Sequence, residues 1–398
     1  MRAGDPLPRE RSDSEAGLNR IAYSVWGNGM PHKRILLLIK GLGRGGAEQL
    51  LASAISYYDR DRFDYEVAYR LPWKDALVAD LRKADLLVHC LDGAKGMGWV
   101  RRLRRLIDQR GFDLIHSHSP TVAVAARVIA PSRVRRVYTE HNVWERYHPL
   151  TRWTNALTFP RSDHVFAVSD HVRASIGYPT VLKGLLPMPP VETLYHGIDP
   201  TAVARWSEVD GVRTQLGIGP DAPVVGTVAN FKQHKRLDRM LDVADLVRRR
   251  LPEVRFIMVG TGQLEDEIRR SAHRRDLDRT IVFTGFRDDA PRLVSAFDVF
   301  AMSSEFEGLS IAVVEALALG IPAVVTNVGG MPEVVNDGEQ GYVVPPGDTS
   351  MLAERLVQLL QDRPLRLRMG EAARARAAKF DIRNAVHRME SVYAELLS

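Results

Sequence analysis

Short apolar runs alternate with longer amphipathic stretches along nearly the whole chain, and this alternation restricts the fold more than any other feature. Runs such as residues 34–40 and 224–228 are rich in Leu, Ile and Val. Buried runs of this kind, each followed by a helix, are typical of βα units and parallel sheets. The sequence therefore predicts an α/β fold.

The βα units fall into two series, separated by a segment rich in turn residues at about 197–223. The predicted strands of the first series are 34–40, 65–69, 86–91, 114–116, 137–139, 164–168 and 193–195, and those of the second are 224–228, 255–259, 280–283, 299–302 and 322–326. We predict two doubly wound, Rossmann-like domains over 34–205 and 206–378, facing across a cleft. A polar extension over 1–33 and a terminal helix over 379–398 complete the chain. Ligands of such sheets bind at the carboxyl ends of the strands.

Composition excludes several other classes of protein. The 398 residues are 45% hydrophobic and 26% charged, which suits a soluble two-domain protein. No apolar run reaches the roughly 18 residues that a membrane span needs. A single cysteine, Cys90, rules out an intramolecular disulfide and a cysteine metal cage. Because residues 1–33 also lack the apolar core of a secretory signal, we expect a cytoplasmic protein.

Positive charge is concentrated in the first half of the chain. Residues 1–200 hold 29 lysines and arginines against 21 acidic residues, and the remainder holds 26 against 28. A cationic surface of this kind suits an anionic membrane or an anionic substrate, although dispersed surface charge is the commoner explanation. No nucleic-acid-binding module is recognisable, so we expect no nucleic-acid partner.

A glycine-rich loop, Gly41-Leu42-Gly43-Arg44-Gly45-Gly46, joins the first predicted strand to the first helix. It matches the G-x-G-x-x-G pattern, in which glycines let the backbone approach an anion at a helix N-terminus. A dinucleotide site would also need an acidic residue at the end of the next strand. That strand ends in Arg70, so we disfavour a nicotinamide cofactor and expect a loop that faces the cleft.

Two carboxylates, Glu307 and Glu315, lie eight positions apart across a predicted strand-to-helix turn. At about 100° per residue they do not share a helical face, so they would contact different parts of a ligand. Free N–H groups near Leu309 suit a phosphate, and a carboxylate one turn deeper can accept both hydroxyls of a ribose. The alternative to a ligand-binding role is that Glu315 only supports the packing of its helix and that Glu307 is exposed to solvent.

The segment 303–335 resembles the E-x7-E donor-site region of glycosyltransferase family 4, which contains retaining nucleotide-sugar transferases of the GT-B fold. The resemblance extends over most of 34–398 and also includes the 45–48 loop, 116–120, 139–141, 228–236, 259–262 and 329–333. It implies a glycosyltransferase that moves a hexose-type sugar from a nucleoside diphosphate to a lipid, glycan or small-molecule acceptor, in cell-envelope or polysaccharide biosynthesis. It also implies that the terminal helix returns to the first domain.

The resemblance assigns roles to individual residues of the second domain. Glu315 is expected to bind the nucleotide ribose, Glu307 to lie by the sugar hydroxyls and Lys235 to contact the diphosphate. Where the family commonly has an arginine, this chain has Asn230, which brings no charge; Lys232 or Arg236 would then help Lys235. The expected donor-binding residues are Gly45, Gly46, Asn230, Lys235, Gly308, Leu309, Ser310 and Glu315.

His141 matches the first-domain histidine that faces the transferred sugar in the family. We expect His141 and Glu307 to be the catalytic residues, since a neutral imidazole can hydrogen-bond a sugar hydroxyl or stabilise charge at the anomeric carbon. His116 and His118 follow the preceding predicted strand but lack a third ligand at metal-site spacing. For these two we leave open whether they line the cleft or support groups that do.

No metal or other cofactor is expected. Residues 59–61 and 276–278 both spell D-x-D, a pattern that holds a divalent metal in another transferase architecture, but neither lies where the cleft is predicted. A lysine and a helix N-terminus can take the charge of the leaving diphosphate.

The stretch 99–107 combines an apolar stripe of Val100, Leu103, Leu106 and Ile107 with four arginines. As an interfacial helix it could hold the first domain on anionic lipid. As a crossover helix it would pack its stripe on the sheet, and we favour this second interpretation. Peripheral attachment to the inner face of a membrane therefore stays open.

Two other functions stay open beside transfer. A nucleotide-sugar epimerase of the same fold would keep the donor site without a second substrate. A non-catalytic sugar-nucleotide binding protein is conceivable because Asn230 replaces the arginine. The sequence does not identify the base, the sugar or the acceptor.

Overall fold

Two parallel sheets organise the chain in the computed structural model, which describes residues 32–92, 96–208 and 211–398. Of the predicted extension over 1–33, only the last two residues are described. Lys33 already belongs to the first strand, because its backbone continues the pairing of the buried run that follows.

Within the described residues, the first sheet has seven parallel strands in the order β3-β2-β1-β4-β5-β6-β7. They are β1 (Lys33–Ile39), β2 (Phe63–Tyr69), β3 (Leu87–Cys90), β4 (Leu114–Ser117), β5 (Arg135–Glu140), β6 (His164–Ala167) and β7 (Val191–Thr193). The helices are α1 (Gly46–Ala54), α2 (Val78–Lys83), α3 (Gly98–Arg110), α4 (Pro120–Ile129), α5 (Pro149–Thr158) and α6 (Asp170–Ser175).

The second sheet has six parallel strands, counted over 211–398, in the order β10-β9-β8-β11-β12-β13. They are β8 (Val224–Val228), β9 (Arg255–Val259), β10 (Ile281–Gly285), β11 (Val299–Met302), β12 (Ala323–Thr326) and β13 (Gly341–Val344). The remaining helices are α7 (Pro200–Ala204), α8 (Val212–Gln215), α9 (Leu237–Arg250), α10 (Glu265–Arg274), α11 (Ala290–Val294), α12 (Ile311–Ala318), α13 (Met331–Val334), α14 (Thr349–Gln361), α15 (Arg363–Ala377) and α16 (Ile382–Leu397).

Each sheet is covered on both faces, which is why its strands are apolar along their whole length. On one face of the first sheet, Ile35, Leu37 and Leu114 pack against α1 and α16. On the other face, Leu36, Leu38 and Ile115 pack against α3 and α4. The strand order reverses direction at β1 and β4 in the first sheet and at β8 and β11 in the second. These switch points are where ligands bind in sheets of this type.

Helix α16 lies on the first sheet although it follows the second domain in the sequence. Its residues Val386, Met389 and Tyr393 belong to the core that contains Ile35. Where this helix begins, the segment 380–382 is hydrogen-bonded to Ile198. The amide of Ile198 donates to the Phe380 carbonyl at 3.0 Å, and the amide of Ile382 donates to the Ile198 carbonyl at 2.8 Å. The two passages of the chain between the sheets therefore run side by side.

The stripe of α3 packs on the sheet, as a crossover helix does. Trp99, Leu103 and Ile107 are buried in the core against Leu36 and Leu38. Val100 and Leu106 only flank that core. An interfacial role that uses this stripe is excluded, because the apolar face is already covered.

Several predicted bounds were wrong. Strand β13 was missed, because it is only four residues long and lies between Gly341 and a pair of prolines. Helix α1, predicted over 47–58, ends at Ala54 and continues to Tyr57 as a tighter 3₁₀ turn. The strand predicted over 114–116 extends to Ser117, and His116 within it is fully buried. Within the described residues, no helix combines the length and the apolar character that a bilayer span requires.

Candidate functional site

Loops from the carboxyl ends of the two sheets meet between β5 and β11. Gly308 follows β11, and a Cβ atom added to it would lie 2.7 Å from the backbone oxygen of His141, which follows β5. A side chain at this position would therefore push the loops apart. The amide of Gly330 donates to the Gly308 carbonyl at 3.0 Å and fixes the loop from the other side. Both sheets thus contribute backbone to one site.

Lys235 and Glu307 form an ion pair at this site, with Nζ 2.6 Å from Oε1. The same carboxylate oxygen accepts a hydrogen bond from the Ser304 hydroxyl at 2.7 Å. Glu307 is buried, at 7% exposure, and the Lys235 side chain is 18% exposed. A buried carboxylate must be paired, and here the pair joins the two residues for which the sequence predicted separate roles.

Packing of two loops brings Lys235 and Glu307 together. Lys235 lies in a 3₁₀ turn, Gln233–Lys235. The Ser303 hydroxyl donates to the carbonyl of Arg236 at 2.9 Å, and the Glu305 amide donates to that of His234 at 2.8 Å. The turn is thereby fixed to the loop after β11.

Arg236, suggested as a helper of Lys235, is held by two acids. Its backbone is left-handed, with φ of 49°, and its guanidinium contacts the carboxylates of Asp238 at 2.7 Å and of Glu305. A diphosphate would have to compete with both acids for this guanidinium. Burial raises the pKa of Glu48 in the first domain, and the charge of the exposed Lys232 side chain opposes this rise.

A glycine is required at 329, behind Glu307. Its φ is +55°, in the left-handed region, and an added Cβ would overlap the Glu307 carbonyl oxygen. This glycine allows the loop after β12 to press directly on the backbone that carries Glu307.

The first turn of α12 offers unpaired N–H groups beside the ion pair. Ser310 is the N-cap residue, but its side chain makes no capping hydrogen bond. The helix therefore begins with donors that lack a side-chain acceptor, which favours an anion there. Leu309 and Ser310 are partly exposed at this end.

Glu315 lies one turn further along α12. Its carboxylate makes no hydrogen bond or ion pair with another described residue, and burial raises its pKa to about 7. It lies on the same side of the helix as Ile311, and a small part of each side chain reaches the surface. An unpaired acid next to a helix N-terminus is a ready acceptor for hydroxyl donors.

His141 belongs to a group of neutral imidazoles in the first domain. Its Nε2 lies 3.5 Å from Nδ1 of His118, and its ring centroid lies 5.8 Å from that of His196. Burial lowers the pKa of His141 well below its usual range, and His118 and His196 add to this effect. Burial also lowers the pKa of His196 to about 4. These groups can donate or accept hydrogen bonds near pH 7 but do not carry a charge.

His116 and His118 differ in their surroundings. His116 is fixed by Tyr393 of α16 and by Thr139 Oγ1 at 2.7 Å, so it supports the group from behind. His118 is 6% exposed, and its Nε2 has no hydrogen-bond partner among the described residues. Among the residues that the structure describes, no three His, Cys, Asp or Glu side chains are grouped so that they could hold a metal ion.

Gly45 and Gly46 open helix α1 across from Lys232. Nothing would obstruct a Cβ at Gly46, whereas one at Gly45 would collide with the Glu48 carboxylate. Glu48 thus folds back over the N-terminus of α1, an end that favours negative charge. Its carboxylate lies where the glycine loop predicted an anionic ligand. Asn230 is exposed after β8, and its side chain bonds no other described residue.

Two family models match this chain. The model described as Glycosyltransferase Family 4 matches residues 44–202, and the model described as Glycosyl transferases group 1 matches 210–376. Together they span both sheets. The chain is a glycosyltransferase of the family 4 type.

Relatives and solved structures agree with this assignment. The glycosyltransferase is 27% identical to EpsD of Bacillus subtilis over 74% of its own length and 79% of that protein. It is 28% identical to the GDP-mannose-dependent alpha-(1-6)-phosphatidylinositol monomannoside mannosyltransferase of Mycobacterium tuberculosis, over 83% and 89% of the two chains. The crystal structure of Anabaena Alr3699/HepE with UDP and glucose superposes with a TM-score of 0.78 at 23% identity, covering 92% and 100% of the chains. The GT-B fold is thereby confirmed.

Sequence reasoning missed two residues of this glycosyltransferase. His196 follows β7 as His141 follows β5, so its position after a strand was the available signal. Arg44 pairs with Asp288 of the second domain at 2.6 Å and lies over the Phe286 ring at 4.1 Å. No local pattern predicts this contact, because Asp288 is 244 positions away along the chain.

Proposed function

We propose that this glycosyltransferase moves a hexose-type sugar from a nucleoside diphosphate to an acceptor hydroxyl with retention at the anomeric carbon. The observation that carries the proposal is the Lys235–Glu307 pair, which adjoins Gly308 where that residue meets the backbone of His141. In this proposal, a cation, a buried acid and a neutral imidazole would face the bound donor.

The donor would be held by the second domain. Lys235 and the N–H groups at the start of α12 suit a diphosphate, and Glu315 suits the two hydroxyls of a ribose. Gly308, Leu309 and Ser310 would supply backbone contacts. In support, HepE was crystallised with UDP and with UDP-glucose, whereas the mycobacterial relative is named for GDP-mannose. Gly45 and Gly46 would approach the donor from the first domain.

The chemistry breaks the bond from the anomeric carbon to the diphosphate oxygen and forms one to the acceptor oxygen. The acceptor proton passes to the departing diphosphate, whose charge Lys235 and the helix N-terminus stabilise. Glu307 and the uncharged His141 would hydrogen-bond the sugar hydroxyls. This front-side route needs neither a protein nucleophile nor, in our proposal, a metal ion.

Labelled nucleotide sugars distinguish this proposal from its rivals. Incubation with uridine, guanosine and adenosine diphosphate sugars and a set of lipid, glycan and small-molecule acceptors should give a labelled acceptor. Isomerised donor without transfer would establish the epimerase instead. Donor binding with neither product would establish the non-catalytic binder. A thermal-shift panel identifies the base beforehand, because the tighter ligand raises the melting temperature more at equal concentration.

A charge-neutral substitution tests the role of Lys235. Lys235→Met should weaken nucleoside diphosphate binding by roughly 10- to 100-fold, the value of a charge-assisted hydrogen bond. Lys83→Met is the matched control, since Lys83 is 79% exposed on α2. Equal affinity of the Lys235 variant and the control would remove Lys235 from the donor site.

The acceptor would bind the first domain, on which the positive charge of the chain is concentrated. A role at the cytoplasmic face of a membrane, in cell-envelope or polysaccharide biosynthesis, fits an enzyme whose relatives include a phosphatidylinositol mannoside mannosyltransferase. Acceptor identity is decided by the transfer assay.

A further inference from the structure

Helix α5 exposes an apolar stripe that no described part of the chain covers. Leu150, Trp153 and Leu157 are 68%, 40% and 54% exposed. At about 100° per residue, these three positions fall within about 60° of one another around the helix. The opposite face, with Asn155, is buried. The helix therefore presents one continuous apolar edge outward.

A neighbouring segment extends this edge. In residues 176–190, Val181, Leu185 and Met188 are exposed by 66%, 74% and 47%. The segment is anchored beside α5, since the rings of Tyr178 and Phe159 lie 6.3 Å apart. We call the exposed apolar residues of α5 and of 176–190, with the basic residues between them, the α5 surface.

Charge on the α5 surface has one sign. The stretches 146–162 and 171–191 contain five basic residues and no acidic ones. The basic residues are Arg146, Arg152, Arg161, Arg173 and Lys183.

Two of the four acids that flank these stretches are paired with arginines. Asp163 is bound by Arg135 at 3.1 Å, and Glu192 is bound by Arg388 at 2.7 Å. Glu145 and Asp170 stand exposed at the rim, where Asp170 accepts hydrogen bonds from Thr193 and Tyr195. Leucine and tryptophan side chains interspersed with arginine and lysine match the interface of an anionic bilayer.

The α5 surface lies at the edge of the site. The guanidinium of Arg146 stands 4.1 Å from the centre of the Phe306 ring, beside Glu307. A membrane that touched α5 would therefore adjoin the gap between the two sheets. Helix α3 does not offer such an edge, because its apolar stripe is buried.

We propose that the α5 surface binds the headgroup and upper acyl region of an anionic lipid bilayer. Binding itself does not depend on the proposed function. The implication that the acceptor is presented at a lipid surface does rest on it.

Vesicle sedimentation of the full chain tests the proposal without any nucleotide. The vesicles contain either phosphatidylcholine alone or equal parts of phosphatidylcholine and phosphatidylglycerol. The chain should bind the anionic vesicles, and added salt should weaken binding by screening. Trp153→Ser combined with Leu157→Ser should reduce partitioning about tenfold or more. Leu367→Ser, at a 58% exposed position on α15, is the control and should change nothing.

A second pair of variants tests the charges. Arg161→Gln with Lys183→Gln should reduce partitioning about fivefold for each charge removed. Arg270→Gln with Arg274→Gln removes two exposed charges from α10 of the second domain and should have little effect. Thermal unfolding and the thermal shift by nucleoside diphosphates should be unchanged in all variants, so that loss of lipid binding is separable from loss of the donor site.

Two results would overturn the proposal. One is equal vesicle binding by the Trp153/Leu157 variant and the Leu367 control. The other is that the native chain does not bind vesicles but forms a dimer in lipid-free solution, whereas the Trp153/Leu157 variant is a monomer. The α5 surface would then bind a second copy of this chain.

Discussion

Replacing Glu315 with glutamine should abolish a specific pH dependence of both stability and nucleotide binding. Burial raises the pKa of this carboxyl from 4.5 to about 7 in the folded chain, and no described group compensates its charge. Between these two values the folded state keeps a proton that the unfolded state has lost. The contribution to stability is therefore present below about pH 4.5 and is lost as the pH rises through about 7.

The size of the effect follows from the separation of the two pKa values. Each pKa unit corresponds to about 1.4 kcal/mol, so the full loss is about 3 kcal/mol, and about 2.5 kcal/mol falls between about pH 5 and about pH 8. Glu315→Gln removes this titration but keeps the size of the side chain. Relative to the native chain, the variant should gain about 2.5 kcal/mol over the same interval.

Urea unfolding of both chains across this pH interval measures the difference. Other carboxylates titrate alike in the two chains, so their contributions cancel. A difference in unfolding free energy that stays constant from about pH 5 to about pH 8 would refute the reasoning and show that Glu315 ionises normally.

Nucleotide binding provides a second measurement on the same variant. If the proposed ribose contact needs the ionised carboxylate, affinity of the native chain should fall about tenfold from about pH 8 to about pH 6. Titration of the nucleotide's own phosphate affects both chains equally. Glu315→Gln should bind more weakly at the higher pH and lose the additional slope. Parallel pH profiles would place the ribose elsewhere.

Three further substitutions have definite expected outcomes. Glu307→Ala should lower turnover by about 100-fold or more without weakening nucleoside diphosphate binding; unchanged turnover would remove it from the site. Gly329→Ala should lower the free energy of unfolding in urea by about 1–3 kcal/mol more than Gly338→Ala, because Gly338 also has a positive φ but has open space for a Cβ. Equal losses would contradict the overlap between a Cβ at 329 and the Glu307 carbonyl oxygen. Glu140→Ala leaves the buried indole N–H of Trp144 and other donors without an acceptor, so the free energy of unfolding in urea should fall by about 3 kcal/mol. A fall of less than about 1 kcal/mol would show that the loop after β5 reorganises to pair these donors.

The parallel strands were predictable because their burial is recorded in the sequence itself. Strands β8, β9 and β11 have the predicted bounds, since each is an apolar run that both faces of the sheet cover. Strand β13 lacked this signal because it lies at the sheet edge and begins at a glycine. His116 was placed in a strand correctly, but its hydrogen bond to Tyr393 was not predictable because Tyr393 belongs to a distant helix.

The candidate site was predictable residue by residue but not in its contacts. Lys235 and Glu307 were both named from the sequence, yet they are 72 positions apart and meet only because the 233–235 turn packs on the loop after β11. The same holds for Glu48, whose carboxylate folds onto the helix start that the glycine loop seemed to reserve for a ligand. Local pattern identifies side chains, whereas their pairing is a property of packing between loops.

The ion pair itself suggests how donor binding and sugar recognition are linked. Without a donor, Lys235 neutralises Glu307, and each side chain satisfies the other in a buried setting. A diphosphate that reached Lys235 would compete for the same ammonium group, and Glu307 would then need new hydrogen-bond donors because a buried carboxylate is costly when unpaired. The hydroxyls of a sugar attached to that diphosphate are donors of the right kind. A nucleoside diphosphate without its sugar cannot supply them, so the ion pair favours the complete donor over the spent one.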